Sequence, residues 1–161
     1  MMGSIARGCA AGAVGTTALD AVTCADMALR GRSAGTIPAA LVDEIGATIG
    51  RPVAGDAGRD NRLSGLGALS GIPAGTPTGA LGSPARGVGI RPPAWGGGLL
   101  AGAPAMAAAD LPPACLGIGD PRTGSARDSA AEAIPHLIHG LTTCGVLDSR
   151  ERGRCARRSP R

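Results

Sequence analysis

The stretch Leu63 to Ala85, LSGLGALSGIPAGTPTGALGSPA, lies between Arg62 and Arg86 without a single charged residue. A helix crosses a bilayer with about 20 mainly apolar residues, so the stretch has the length of a span. Its hydrophobic strength is marginal. The large aliphatics Leu63, Leu66, Leu69, Ile72 and Leu81 contribute roughly −2 to −3 kcal/mol on an insertion scale, while Pro73, Pro77 and Pro84 oppose a regular helix. Gly67, Gly71, Gly75 and Gly79 recur at every fourth position. On a helix they form a groove along one face, where a second backbone can approach closely. The stretch reads as a helix held in place by its neighbours.

Three further windows are cleared of charge in the same way. Gly8 to Leu29 lies between Arg7 and Arg30, interrupted only by Asp20 and Asp26. Pro92 to Ala109 is uncharged, and Ala133 to Leu147 lies between Glu132 and Asp148. The last reaches span length if its helix starts near Ser129. Gly8 with Gly12, and Gly98 with Gly102, repeat the four-residue spacing. The expected fold is all-α: a small transmembrane helical bundle of about four spans, near 8–29, 63–85, 92–111 and 129–147, within a membrane domain of residues 1–147. Ile37, Leu41, Val42, Ile45 and Ile49, with Pro38 at the start, predict a short amphipathic helix in the first loop. Trp95 suits the headgroup interface.

Composition supports this reading against an ordinary soluble domain. The 161 residues include 28 Gly and 13 Pro but one Trp and no Phe or Tyr, so a densely packed aqueous core is not expected. Disordered chains carry scattered charge and high net charge, whereas here the charges are cleared from membrane-length windows. All 16 basic residues are Arg. Arg150, Arg152, Arg154, Arg157, Arg158 and Arg161 crowd the end, opposed by Asp148 and Glu151, and account for the whole formal net charge of +4. Residues 148–161 therefore read as a flexible basic tail that lies against anionic lipid. A soluble or disordered basic protein with a non-specific nucleic-acid-binding tail is the alternative. The tail offers no aromatic platform for bases, so nucleic acid is not the expected partner.

Residues that could carry chemistry are few. Cys9, Cys24, Cys115, Cys144 and Cys155 form no CxxC pair, so neither a disulfide framework nor a zinc site is spelled out. Asp20, His136 and His139 lie in span-length windows, with the histidines on one helix face; a proton relay or small transporter could use them. Gly65-Leu66-Gly67-Ala68-Leu69-Ser70-Gly71 lacks the spacing, the strand and the distal acid of a dinucleotide loop. Without Lys there is no Walker lysine, and no GxSxG occurs. Neither an enzyme nor a cofactor is expected. As a secretory signal, the first window is poor in Leu and lacks a clear Ala-x-Ala site, so an uncleaved helix is the better reading.

Several short motifs occur in order. They are Thr16-Thr17-Ala18-Leu19, Asp26-Met27-Ala28-Leu29-Arg30-Gly31-Arg32, Asn61-Arg62-Leu63-Ser64-Gly65-Leu66-Gly67-Ala68-Leu69, Asp120-Pro121-Arg122-Thr123, and Pro135-His136-Leu137 with Gly140-Leu141-Thr142. Together they resemble an uncharacterised family of small four-span integral membrane proteins from high-GC bacteria. That family pattern places aromatic residues near Cys24, Gly124 and Ser129, where this chain has none. The resemblance implies a location and a topology and no activity. The expectation is a multi-pass protein of the inner membrane with a structural or assembly role, partnered by the lipid bilayer and by further copies of itself. Nine Arg fall on the side of the two termini and seven on the other, a slim margin; the six Arg clustered within about 15 residues of the last helix decide for both termini in the cytoplasm.

Overall fold

The computed structural model describes the backbone of residues 2–31, 33–89, 91–119 and 125–158. It is all-α, with five helices and no strand among the described residues: α1 (Met2–Arg30), α2 (Ile37–Thr48), α3 (Arg59–Gly87), α4 (Ala94–Cys115) and α5 (Ala126–Arg158). The helices start and stop where the local chemistry directs. Pro38 stands in the first turn of α2, where its missing N–H costs nothing. Ser125 and Asp128 form a reciprocal cap at the start of α5: the Asp128 carboxylate accepts from the Ser125 N–H at 3.1 Å, and Ser125 Oγ accepts from the Asp128 N–H at 3.2 Å. Beyond α4, Gly117 takes a φ of 69°, and the Ile118 N–H closes on the Pro113 carbonyl at 2.9 Å, the Schellman way of ending a helix.

Helices α1, α3, α4 and α5 form an up-and-down bundle. Helix α1 runs antiparallel to α3: Ser4 Oγ meets Ser83 Oγ at 2.9 Å, and Gly8 and Gly12 abut Gly79 and Thr76 further along. Helix α4 runs antiparallel to α5, with Gly98 and Gly102 against Gly140 and His136. Helix α5 also packs along α1, so the order around the bundle is α3, α1, α5, α4, and the two ends of this series, α3 and α4, touch only lightly. Helix α2 lies across α3, its Pro38 and Ala39 backbone resting on Gly67, and Asp43 accepts two bonds from Arg59 Nη2 at 2.6 and 2.7 Å.

The structure bears on two sequence expectations. Four helices exceed the about 20 residues that a crossing requires, yet among the described residues no helix is long and apolar enough to cross a membrane. What they lack is apolarity, because Gly, Pro, Ser and Thr occupy so many positions. Secondly, residues 148–161 were expected to leave the bundle as a flexible tail, but α5 continues as one helix to Arg158. No Pro interrupts that segment before Pro160, and the Arg and Glu around Gly153 are good helix formers. The side chains of Arg150, Arg152, Arg154, Arg157 and Arg158 lie outside the described residues, as do Asp120 to Thr123 of the family-like motif.

Candidate functional site: a buried polar cluster between glycine seams

Polar side chains occupy the centre of the bundle, while Leu63 and Leu147 are buried toward its two ends. His139 and Thr143 on α5 are 0% and 1% exposed, and Thr16 on α1 is also buried. Leu66, Leu69 and Ile72 on α3, Leu99 and Leu100 on α4 and Ile134 on α5 are exposed. Glycines make this possible. A Cβ on Gly15 would strike Thr143 Oγ1 and come within 2.8 Å of the His139 carbonyl, and one on Gly75 would strike Thr16 Oγ1 and come within 3.1 Å of His139 Cε1. The imidazole therefore fills a slot between α1 and α3 that any larger residue at position 15 or 75 would close.

Hydrogen bonds orient the ring. Thr78 Oγ1 donates to the Gly75 carbonyl at 2.6 Å, which leaves its lone pair to accept from His139 Nε2 at 2.9 Å. Nε2 thus carries the proton, and Nδ1 faces the Gly15 backbone without reaching hydrogen-bond geometry. Thr143 Oγ1 is likewise buried, with no partner among the described residues, and Thr16 Oγ1 donates back to the Gly12 carbonyl at 3.1 Å. A threonine beside a histidine suggests a nucleophile with its base, but here the Thr78 hydroxyl proton goes to a carbonyl and no carboxylate among the described residues orients Nδ1. The pair lacks the geometry of acyl-transfer catalysis.

The residues singled out in the sequence part company. Asp20 is exposed on the outer surface of α1. His136 is half-buried, its Nδ1 paired with the Glu132 carbonyl at 2.8 Å. Only His139 enters the centre. Among the described residues no group of three or more His, Cys, Asp or Glu could hold a metal ion. Along the ladder, Gly67 meets α2, Gly75 meets Thr16 and His139, and Gly79 meets the backbone of Gly8 and Gly12, while Gly71 faces open space. A four-residue repeat drifts round a helix by about 40° per step at 3.6 residues per turn, so one strip need not all face one partner. Thr78, Thr143 and Gly15 were not foreseen. The only signal for the two threonines was that hydroxyl-bearing residues stand inside charge-free windows, and for Gly15 that it is one of several small residues in the first window.

Charged residues gather at the two ends of the bundle. Arg7, Arg86, Arg91 and Asp148 mark one end, where Arg86 Nη1 pairs with Asp148. Asp26 pairs with Arg30 at 2.6 Å at the other end, close to Arg127 and Asp128. From Arg7 to Asp26 the helix rises about 28 Å at 1.5 Å per residue. Asp20 and Glu132 stand within two turns of the far border. Comparison with family models, with curated proteins and with solved structures found no match for the chain.

Proposed function

We propose that the chain is a multi-pass inner-membrane protein in which α1, α3, α4 and α5 form one lipid-embedded bundle with a structural or assembly role. A single observation carries this: large aliphatic side chains face outward over a belt about 28 Å tall, while His139, Thr143 and Thr16 are sealed inside. In water the hydrophobic effect drives the opposite arrangement. In lipid the outside is apolar at no cost, and helices associate through small residues and interhelical hydrogen bonds. The glycine seams of α1 with α3 and of α4 with α5 are that kind of contact.

The low apolarity of each helix is compatible with this reading. Mean hydropathy averages both faces of a helix, but in the bundle only the outer face meets lipid. The Gly, Thr and His positions turned inward weaken a solitary helix and do not burden the assembled four. Insertion then depends on neighbours, and each helix alone is marginal. Alkaline carbonate treatment of cell membranes tests the reading. The full chain should stay with the membrane and require detergent for release; extraction by carbonate alone would overturn it.

A further inference from the structure

Helix α2 is pinned at a definite depth against the side of α3. The backbone of its first turn, Pro38 and Ala39, rests on Gly67. Gly67 lies four residues, about 6 Å, inside the charge-free window that opens at Leu63. Further along α2, Asp43 accepts from Arg59 Nη2 at 2.6 and 2.7 Å, and Asp56 in the following loop pairs with Arg62. Those ion pairs mark the charged border from which α3 enters the belt, so α2 crosses the border with its first turn on the belt side. The far end of α2 is closed by Gly50, at a φ of 68°, and by the Arg51 N–H on the Gly46 carbonyl at 2.8 Å. Ile37, Leu41, Ile45 and Ile49 stand four apart and sweep about 120° of one flank of the helix. Ile37, Ile45 and Ile49 are 44%, 46% and 64% exposed. Ala40, Glu44 and Ala47 occupy the other exposed flank.

We propose that α2 is an interfacial helix that buries its Ile37, Ile45 and Ile49 strip among acyl chains at this border of the bilayer; the proposal rests on the membrane reading above. Three observations select lipid as the occupant. The depth of the first turn matches the about 5–10 Å to which the apolar face of an interfacial helix sinks. The strip also adjoins an apolar surface that already faces outward, because Leu66 and Leu69, on either side of Gly67 in α3, are exposed. Its area, finally, is too small for a protein partner. Three partly exposed isoleucines on a 12-residue helix fall well short of the about 800 Å² that each partner buries in a stable dimer. A lipid surface sets no such minimum, since it surrounds whatever apolar area reaches it. The Asp43–Arg59 pair then has a purpose beyond closing a loop: it fixes the rotation of α2, so that the isoleucines and not Glu44 turn toward the acyl chains.

Vesicle flotation of the full chain comes first, and failure to float overturns the membrane reading and this proposal together. For protein that floats, Trp95→Phe removes the single native indole, and a new one is placed on either flank of α2, as Ile45→Trp or as Ala47→Trp. The vesicles are phosphatidylcholine with or without bromine on the upper carbons of the acyl chains. Emission from Ile45→Trp should fall about twofold on bromination, because a side chain about 5–10 Å below the headgroups meets those carbons. Emission from Ala47→Trp, on the flank of Glu44, should stay unchanged. Ile49→Trp reports on the same strip if Ile45→Trp does not fold. Equal quenching on both flanks, or none on either, overturns the interfacial placement of α2 and leaves the membrane reading standing. Blue-shifted emission at position 45 that bromine does not quench, from a chain that forms dimers, shows a second copy covering the strip, and the proposal fails.

Discussion

At the scale of single residues, the ladder glycines are not equivalent, and the difference can be measured. Gly79 abuts the backbone of Gly8 and Gly12, which cannot rotate away, whereas Gly75 abuts the side chains of Thr16 and His139, which can partly yield. Gly71 has nothing within reach. Thermal unfolding in detergent should therefore rank Gly79→Leu as most damaging. Gly75→Leu should follow, with an overpacking cost of about 1–3 kcal/mol, and Gly71→Leu should match the parent. Equal losses at positions 71 and 79 would show that the seam is not where helices meet. The His139 contact makes a second prediction. Thr78→Val leaves the Nε2 proton without its acceptor deep in the bundle, which costs about 1–3 kcal/mol. Combining Thr78→Val with His139→Leu should recover part of that loss, because the unsatisfied donor is then gone. A double-mutant cycle reads the coupling, and strict additivity would show that the two side chains do not interact.

At the scale of elements, each helix depends on its ends and its seam more than on an apolar stripe. Helix α5 begins with the Ser125–Asp128 cap, and Ser125 Oγ also donates to the Asp128 carboxylate at 2.6 Å. Ser125→Ala should cost about 0.5–2 kcal/mol, seen first as faster amide exchange in the opening turns of α5. Protection there equal to the parent's would mean that packing against α1 and α4 holds the helix end without the cap. Much of this element structure was legible beforehand. Charge-free windows located four helices, and the spacing of Ile37, Leu41, Val42 and Ile45 located α2. The continuation of α5 to Arg158 was not foreseen, because an Arg-rich run reads as a solvated tail by charge although its residues are good helix formers.

At the scale of the molecule, the bundle lets cysteines report its orientation. Cys115 is exposed at the end of α4, on the same side as α2, and Cys24 is exposed on α1 toward that end, whereas Cys144 is buried. With both termini cytoplasmic, a variant retaining only Cys115 should react with a membrane-impermeant thiol reagent on intact cells. A variant retaining only Cys144 should react after neither intact-cell nor broken-cell treatment. Failure of Cys115 to label until cells are broken would invert the topology, and would move the basic end of the bundle to the outer leaflet.

Sequence alone determined the helical class, the number of long helices and the position of α2, because charge clearance and apolar spacing are local properties that survive any packing. It also singled out Gly8, Gly12, Gly98 and Gly102, since small residues four apart mark a helix face whatever lies opposite. Only the tertiary structure decided which faces meet. It set Gly79 against Gly8 and left Gly71 open, carried His139 inward and Asp20 outward, and paired Arg86 with Asp148 across two helices. Those outcomes depend on the axial register and rotation of one helix against another. Close packing fixes both at once, and spacing along a single chain does not encode them.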